Sequence, residues 1–240
     1  MKVTQITRQI RKILPLKPCG AVIVAAGNAT RMGGIDKVMA SVDGEPMILR
    51  SVRAFQESDV IRQIVIVTRQ DLIVPLMDLC SGFDKVRAVV VGGSDRSQSV
   101  RAGLQALSSD IKLAAIHDGA RPLVSWQVID RAVRAANTYG AAAPAIPVKD
   151  TIKTVHGGVV KDTPDRAALR AVQTPQVFDF DLIRGALKKA YEDGAAVTDD
   201  CSAVERLGMS VKIVEGDERN LKITTPLDLA IAKLFLEDMT

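Results

Sequence analysis

The segment from residue 25 to residue 37 combines small residues with two cations. It holds Gly27, Gly33 and Gly34 together with Arg31 and Lys37. Small residues let backbone N–H groups approach phosphate oxygens closely, and cations complement the charge of a triphosphate. The spacing matches neither a P-loop nor the glycine fingerprint of dinucleotide-binding proteins. We interpret the segment as a phosphate-binding loop, the alternative being a tight strand–helix turn with two solvated cations.

A second polar segment starts at Gly92-Gly93 and continues through Ser94 to Ser99. It follows an apolar run and precedes a helical pattern. N–H groups and hydroxyls at such a helix start can bind a base or a ribose. The alternative is an ordinary N-capped helix with no ligand.

A third segment contains His117, Asp118 and Arg121, again directly after an apolar run. A carboxylate in this position can hold Mg²⁺ or a substrate hydroxyl, because Mg²⁺ prefers hard oxygen ligands. The alternative is a turn in which Asp118 pairs with Arg121. His117 has no histidine or cysteine partner at metal-ligand spacing and is interpreted as structural.

The elements that must position these segments alternate along the chain. Short apolar runs predict buried strands, and apolar residues at helical spacing predict the helices between them. This order predicts an α/β fold with a doubly wound, mostly parallel, Rossmann-like sheet and right-handed crossovers. Ligands bind such sheets beyond the carboxyl ends of the strands. The predicted strands are 21–26, 64–68, 86–91 and 113–116, and the predicted helices are 46–55, 96–107, 126–139, 201–207 and 226–237.

Residues 144–177 interrupt this alternation with four prolines and two adjacent glycines. Within them, 151–155 and 158–161 are β-prone pieces joined by His156-Gly157-Gly158. The pattern predicts a β-hairpin arm that protrudes from the sheet.

Length and composition limit the remaining possibilities. The chain has 240 residues, a net charge of +4 and 3% aromatic residues, which favours small phosphorylated ligands over nucleic acid. No apolar run approaches the length of a membrane span, and three scattered cysteines predict neither a disulfide framework nor a zinc site. We therefore predict a cytoplasmic protein with one domain over residues 19–240 and a basic N-terminal extension over 1–18.

Taken together, these segments resemble the 2-C-methyl-D-erythritol 4-phosphate cytidylyltransferase family over residues 20–237. The family patterns occur in the same order in this chain: AAGxGxRM at 25–32, GGxxRxxSV at 92–100, HDxARP at 117–122, PVxDT at 147–151, DR at 165–166, TPQxF at 174–178, TD(D/E)xSAxE at 198–205 and EGxxxNxKxTxPxDL at 215–229.

The resemblance implies a nucleotidyltransferase-type fold, CTP and a polyol phosphate as substrates, Mg²⁺ or another divalent cation, and a homodimer formed through the arm. It implies that Arg31 and Lys37 stabilise the transition state. Metal is implied to be held mainly by the CTP phosphates, with Asp118 as a possible further ligand. The residues implied to position the polyol phosphate are Arg166, Lys222, Asp118, Arg121, Thr151 and Thr198, and those implied to hold the cytidine are Ala25, Ala26, Gly27, Gly93, Ser94 and Ser99.

Three positions depart from the family pattern. Ala29 replaces a glycine, Asp36 a proline and Val38 a glutamine. None of the changes alters the two cations, so they concern the geometry of the loop more than its chemistry. Two alternatives remain: a ribitol-5-phosphate cytidylyltransferase or another sugar-phosphate nucleotidyltransferase, and a non-catalytic nucleotide-binding regulator. The presence of both Arg31 and Lys37 argues against the regulator.

Overall fold

The computed structural model describes residues 15–27 and 38–237. An eight-stranded sheet with helices on both faces forms its centre. The strands are β1 (Cys19–Val24), β2 (Ser41–Val42), β3 (Glu45–Pro46), β4 (Ile61–Thr68), β5 (Val86–Val91), β6 (Leu113–Asp118), β7 (Ala141–Pro147), β8 (Thr154–His156), β9 (Val159–Asp162), β10 (Arg170–Val172), β11 (Gln176–Asp179) and β12 (Lys212–Glu215). The helices are α1 (Met47–Gln56), α2 (Ile73–Leu79), α3 (Arg96–Gln105), α4 (Trp126–Tyr139), α5 (Phe180–Glu192), α6 (Asp200–Glu205) and α7 (Pro226–Glu237).

The sheet order is β10-β7-β11-β6-β1-β4-β5, with β12 paired to β7. β1 is parallel to both β4 and β6, and β4 is parallel to β5. β11 lies antiparallel between β6 and β7, and β10 is also antiparallel to β7. The prediction of a mostly parallel, doubly wound sheet is confirmed. Its parallel half brings the ends of β1, β4, β5 and β6 to one edge.

Alternation along β1 shows why both faces of the sheet are covered. Ile23 packs in one buried cluster with Phe55 of α1 and Ile129 of α4. Val22 packs in another cluster with residues of α3 and α5. Successive side chains of a strand point to opposite faces, so an uninterrupted apolar strand requires helices on both sides.

The arm leaves the sheet after β7, and β8 and β9 pair as a separate two-stranded ribbon. Gly157 and Gly158 have φ angles of 56° and 78°, as a two-residue type I′ turn requires. The predicted hairpin is confirmed, but its boundaries differ. The first strand begins at Thr154 rather than at 151, and His156 is part of that strand rather than of the turn.

Other boundaries move by one to three residues. β1 ends at Val24, β4 begins at Ile61, and α3 ends at Gln105 instead of 107. The cap of α6 is Asp199, whose side chain accepts from Ser202 N–H in a capping box. Eight elements of the described residues lie outside the predicted set: β2, β3, β7, β10, β11, β12, α2 and α5. Among helices of the described residues, none is long and apolar enough to cross a membrane.

Candidate active site

A cleft of about 530 Å³ opens where the carboxyl ends of β1, β4, β5 and β6 meet. Its walls come from the segments that follow each of these strands. Eight of the predicted site residues line it: Ala25, Ala26, Gly27, Gly93, Ser94, Ser99, Asp118 and Lys222. The sheet topology therefore gathers into one cavity residues that are up to 197 positions apart, from Ala25 to Lys222.

The wall after β1 is formed by Ala25, Ala26 and Gly27. Ala25 N–H donates to the Val67 carbonyl at 2.7 Å, which keeps the loop start against the neighbouring strand. Residues 28–37 lie outside the described part of the chain, and with them Arg31 and Lys37. The description resumes at Val38, which lines the cleft.

The wall after β5 is a tight turn into α3. A Cβ atom on Gly92 would lie 2.5 Å from Ala26 Cβ and 2.7 Å from Ser99 Oγ, so no side chain fits there. Ser99 Oγ accepts from Gly93 N–H at 3.1 Å and donates to the Asp95 carbonyl at 2.9 Å. Asp95 in turn caps α3 by accepting from Gln98 N–H. The Ser99 hydroxyl thus stabilises the turn through two hydrogen bonds. The family resemblance implied contact with the cytidine and did not indicate this structural role.

Asp118, the last residue of β6, lies among three cations. Its carboxylate is 2.9 Å from Lys222 Nζ, 3.4 Å from Arg96 Nε and 3.8 Å from Arg121 Nε. Burial by itself would raise the pKa of Asp118, but Arg96, Lys222 and Arg121 outweigh it and hold that pKa below its ordinary value. Asp118 is therefore an ionised hydrogen-bond acceptor that holds three cationic side chains in place at the floor of the cleft.

Arg96 lines the cleft and joins Asp118 to a second carboxylate. Its Nη2 donates to Asp200 Oδ2 at 2.7 Å, and the Asp200 side chain is 1% exposed. Burial opposes the charge of Arg96, yet Asp200 and Asp118 together raise its pKa. Neither residue was among the predicted site residues. Arg96 is within a quoted pattern, but its partner is 104 positions away, so spacing offers no signal for the pair.

Hydrogen bonds from one guanidinium, one side-chain amide and one backbone N–H hold the loop that carries Lys222 against the rest of the site. Arg121 Nη1 donates to the Asn220 carbonyl at 2.6 Å, and Ile223 N–H donates to the Ala120 carbonyl at 2.9 Å. Asn220, which is fully buried, donates from Nδ2 to the Thr174 carbonyl at 2.8 Å. Hydrogen bonds at Asn220 and at Ile223, which lie before and after Lys222 in the chain, thereby hold Lys222 beside Asp118.

Four predicted site residues do not line this cleft within the single chain. Arg121 lies beside it, with its Nε 3.8 Å from the Asp118 carboxylate. Thr151 and Arg166 lie exposed on the arm, where Arg166 Nη1 donates to the Lys149 carbonyl at 2.8 Å. Thr198 is exposed just before α6, with its N–H donating to Ser202 Oγ. Conversely, Thr68, Arg69 and Gln70 line the cleft without having been predicted. The signal for them is their position: Thr68 ends the predicted strand that became β4, and Arg69 and Gln70 follow it directly.

The donor set of the cleft bears on whether the protein itself can hold a metal ion. Outside residues 1–14, 28–37 and 238–240, no group of three or more metal-ligating side chains occurs. Asp118 is the carboxylate nearest the cleft floor, and three cations already surround it. A divalent ion bound directly by Asp118 would have to displace one of them, so these residues do not fit a metal site made by the protein alone.

Comparison with known proteins gives a consistent result. The family model described as 2-C-methyl-D-erythritol 4-phosphate cytidylyltransferase matches residues 19–238. A protein of that name from Caldanaerobacter subterraneus is 46% identical over 225 residues, covering 90% of this chain and 97% of the relative. Another from Geobacillus kaustophilus is 44% identical over 219 residues, covering 90% and 96%.

Solved structures agree with these relatives. The 4-diphosphocytidyl-2C-methyl-D-erythritol synthase of Anaerococcus prevotii has a TM-score of 0.84 at 32% identity and covers 92% of this chain and 96% of its own. The 2-C-methyl-D-erythritol 4-phosphate cytidylyltransferase of Thermus thermophilus has a TM-score of 0.75 at 31% identity and covers 90% and 98%.

Proposed function

The chain belongs to the 2-C-methyl-D-erythritol 4-phosphate cytidylyltransferase family, and we propose that the cleft beyond β1, β5 and β6 is where it acts. The enzyme transfers CMP from CTP to 2-C-methyl-D-erythritol 4-phosphate, giving 4-diphosphocytidyl-2-C-methyl-D-erythritol and pyrophosphate in the non-mevalonate pathway. The observation that carries the assignment of the site is the cluster of Asp118 with three cations at the cleft floor.

The reaction is an in-line displacement at phosphorus. A phosphate oxygen of the polyol phosphate forms a bond to the α-phosphorus of CTP, and the bond from that phosphorus to the bridging oxygen breaks, so that pyrophosphate leaves with the electron pair. The attacking phosphate is already ionised at neutral pH, and no general base is needed. Catalysis then consists of alignment and of charge stabilisation on the α-phosphoryl oxygens and the leaving group.

Arg31 and Lys37 provide that stabilisation. Support comes from the resemblance of their segment to the family loop and from its starting point, because Ala25, Ala26 and Gly27 line the cleft. Two fixed cations placed beside a developing negative charge lower the barrier without having to reorganise during the reaction.

CTP binds between the loop after β1 and the turn after β5. Both segments offer backbone groups from small residues: Ala25, Ala26 and Gly27 on one side, and Gly93 with Ser94 on the other. Such a slot admits a flat base and leaves its polar edge to main-chain donors and acceptors. Ser99 contributes by holding Gly93 in place.

The polyol phosphate binds on the Asp118 side. Lys222 and Arg121 supply positive charge for its phosphate, and Asp118 accepts from its hydroxyl groups. Within one chain Arg166, Thr151 and Thr198 lie away from this floor. We assign their contribution to a homodimer in which each arm reaches the site of the partner, since an exposed two-stranded ribbon is only marginally stable on its own.

Mg²⁺ is the proposed metal, brought in on the phosphates of CTP rather than held by the protein. When bound it supplies charge neutralisation on the leaving pyrophosphate. The Asp118 carboxylate at the cleft floor already faces three cations, which supports this arrangement. A cytoplasmic location is proposed as well, as predicted from the sequence.

The test is pyrophosphate release with all four nucleoside triphosphates against a panel of polyol phosphates, with Mg²⁺ and with EDTA. Turnover should require CTP, 2-C-methyl-D-erythritol 4-phosphate and Mg²⁺, and Lys37→Ala should serve as the control with strongly reduced turnover. Faster turnover of ribitol 5-phosphate would reject the polyol assignment. Nucleotide binding without any turnover would indicate a regulator.

A further inference from the structure

Arg69 lines the cleft, and the reaction as described makes no use of it. It directly follows Thr68, the last residue of β4, and its side chain is 23% exposed. In the sheet, β4 lies between β1 and β5, the two strands whose following segments form the walls of the proposed CTP slot. Arg69 therefore enters the cleft between these two walls.

The end of β4 is hydrogen-bonded to both walls. Gly92 N–H donates to the Thr68 carbonyl at 2.8 Å, and the Thr68 hydroxyl donates to the Ala25 carbonyl at 3.4 Å. Thr68 is fully buried. Since these bonds hold the backbone at Thr68, the point from which the Arg69 side chain starts is fixed relative to the loop after β1 and to the turn after β5.

Arg69 lies on the side of the cleft away from Asp118. The strand order β6-β1-β4-β5 places the ends of β4 and β6 on opposite sides of β1, about 10 Å apart at the ordinary spacing of strands. The polyol phosphate is proposed to bind at Asp118, on the β6 side. Arg69 therefore belongs to the other end of the cleft, where the nucleoside of CTP is proposed to lie.

Asp71 holds the guanidinium of Arg69 in one orientation. Nε donates to Asp71 Oδ1 at 3.1 Å, and Nη2 donates to Oδ2 at 3.0 Å. The hydrogen bond from Arg69 is the main cause that lowers the pKa of Asp71, so this carboxylate stays ionised. The pair thus carries no net charge. A fixed donor whose charge is compensated suits the uncharged edge of a base better than it suits a triphosphate.

A guanidinium distinguishes the two pyrimidine bases because it has N–H donors and no acceptor. Cytosine presents two adjacent acceptors, O2 and N3. Uracil has O2 as well, but its N3 carries a hydrogen and is a donor. Two N–H groups of one guanidinium can donate to O2 and N3 of cytosine, whereas toward uracil one of them would face another donor. Such a mismatch leaves polar groups unpaired and disfavours the wrong base.

We propose that Arg69 is a specificity-determining residue for CTP: its guanidinium, held by Asp71, donates to O2 and N3 of the cytosine ring and thereby disfavours UTP. This inference deepens the proposed function and rests on it, because it requires the nucleoside to lie between the loop after β1 and the turn after β5. Asp71 is a positioning residue, since it acts only through Arg69.

The kinetic test compares kcat/KM for CTP with kcat/KM for UTP. Arg69→Ala should lower the ratio of the two about tenfold or more and change KM for the polyol phosphate less than about twofold. Arg69→Lys keeps the charge but not the planar fork, so it should not restore the ratio. Arg62→Ala, an exposed arginine near the other end of β4, should leave the ratio unchanged. An unchanged ratio in Arg69→Ala would overturn the proposal.

Asp71→Asn tests the positioning role. Asparagine keeps one oxygen acceptor but loses the charge, so the guanidinium is held less firmly and the ratio should fall by a smaller factor than in Arg69→Ala. KM for the polyol phosphate should not change. The matched control is Asp78→Asn at an exposed aspartate of α2. If Asp71→Asn and Asp78→Asn behave alike, Asp71 does not position Arg69.

A second measurement examines the contact with N3 and needs only the wild-type protein. In 3-deazacytidine 5′-triphosphate a C–H group replaces N3 and the rest of the nucleotide is retained. In isothermal titration calorimetry the wild type should bind this nucleotide about tenfold more weakly than CTP. Equal Kd values would refute the contact even if Arg69→Ala does not fold. In Arg69→Ala the two nucleotides should bind nearly equally, and an undiminished difference would assign N3 to another group.

Pyrophosphate release by the wild type separates this inference from the proposed function. If the wild type turns over CTP with the polyol phosphate and the ratio of CTP to UTP is the same in Arg69→Ala, the proposed function stands and the specificity role is wrong. If the wild type does not turn over CTP with any polyol phosphate, the proposed function fails, and the role of Arg69 in that reaction fails with it.

Discussion

Arg31 and Lys37, the two cations proposed to stabilise the transition state, can be distinguished kinetically from the cations that bind substrate. Arg31→Ala and Lys37→Ala should each lower kcat by about 10²–10³, as the loss of one oxyanion donor does. Binding of CTP should weaken less, because the charge that they meet develops only during the reaction. Single-turnover rates and CTP titrations measure the two effects. A near-normal kcat for Lys37→Ala would refute its role.

His117 should make folding stability depend on pH between about 6.5 and about 4. Its pKa falls from 6.5 to about 4 in the folded protein, so over this interval the unfolded chain takes up a proton that the folded chain refuses. Stability is therefore lost as pH falls through the interval, by up to about 3 kcal/mol.

Urea unfolding of the wild type and of His117→Asn at several pH values measures this contribution. Asparagine does not titrate, so the variant should lose less stability than the wild type between pH 6.5 and pH 4. Burial raises the pKa of Asp200, so this group adds to folding stability as the pH falls, opposite to His117. Asp200 is present in both proteins, so its effect cancels in the comparison. Identical slopes would show that His117 is not held neutral.

At the residue scale, the sequence predicts the parts of the site that are local in the chain. Gly93, Ser94 and Asp118 are recognisable because each lies at the end of a strand or within three residues after it. The pairs Arg96–Asp200 and His117–Thr174 are not recognisable, since their partners are 104 and 57 positions apart. Such pairs exist only once the sheet has brought the strand ends together.

At the scale of elements, the turn between β5 and α3 requires a glycine at position 92. A methyl group there would overlap Ala26 Cβ and Ser99 Oγ, and would push apart two walls of the proposed CTP slot. Gly92→Ala should raise KM for CTP by about tenfold and leave the polyol phosphate less affected. Isothermal titration calorimetry with CTP measures whether the Kd for CTP rises in the same way.

Gly185→Ala is the matched control for that substitution. Gly185 lies in α5, and an added Cβ meets nothing within 4 Å. Alanine should stabilise the helix slightly, by about 1 kcal/mol or less, and leave both KM values unchanged. If the two variants behave alike, the close approach at Gly92 has no functional importance.

The predicted elements are those whose pattern can be read within one segment. Parallel strands such as β5 are short continuous apolar runs, and α4 shows a helical repeat with its cap position at Ser125. β7 and β11 escaped prediction because prolines lie in and beside them, and because an antiparallel insertion between two parallel strands depends on long-range pairing. Propensity gives no information on such pairing.

At the scale of the whole molecule, the arm determines whether a site belongs to one chain or to two. Within one chain Arg166 binds the Lys149 carbonyl and lies exposed. We expect it to serve the partner's site in a two-fold dimer, while Lys37 serves its own. Lys37→Ala and Arg166→Ala chains should then complement each other after subunit exchange.

In a mixed dimer one site receives an intact Lys37 and an intact Arg166, and the other site loses both. Random exchange of equal amounts makes about half of the dimers mixed, so about a quarter of all sites should recover. If Arg166 acts within its own chain, every site keeps one lesion. Proven exchange with no recovered activity would therefore exclude the shared site.

The cluster around Asp118 has a consequence for isotope effects. Three cations keep that carboxylate ionised, and the attacking phosphate of the substrate is already deprotonated. No proton is therefore transferred in the step that forms the new phosphorus–oxygen bond. The rate of that step should be nearly the same in heavy water as in light water. The acid side of the pH–rate profile should then follow the second ionisation of the substrate's own phosphate, near pH 6, so that the small molecule rather than the enzyme sets the lower limit of the working pH range.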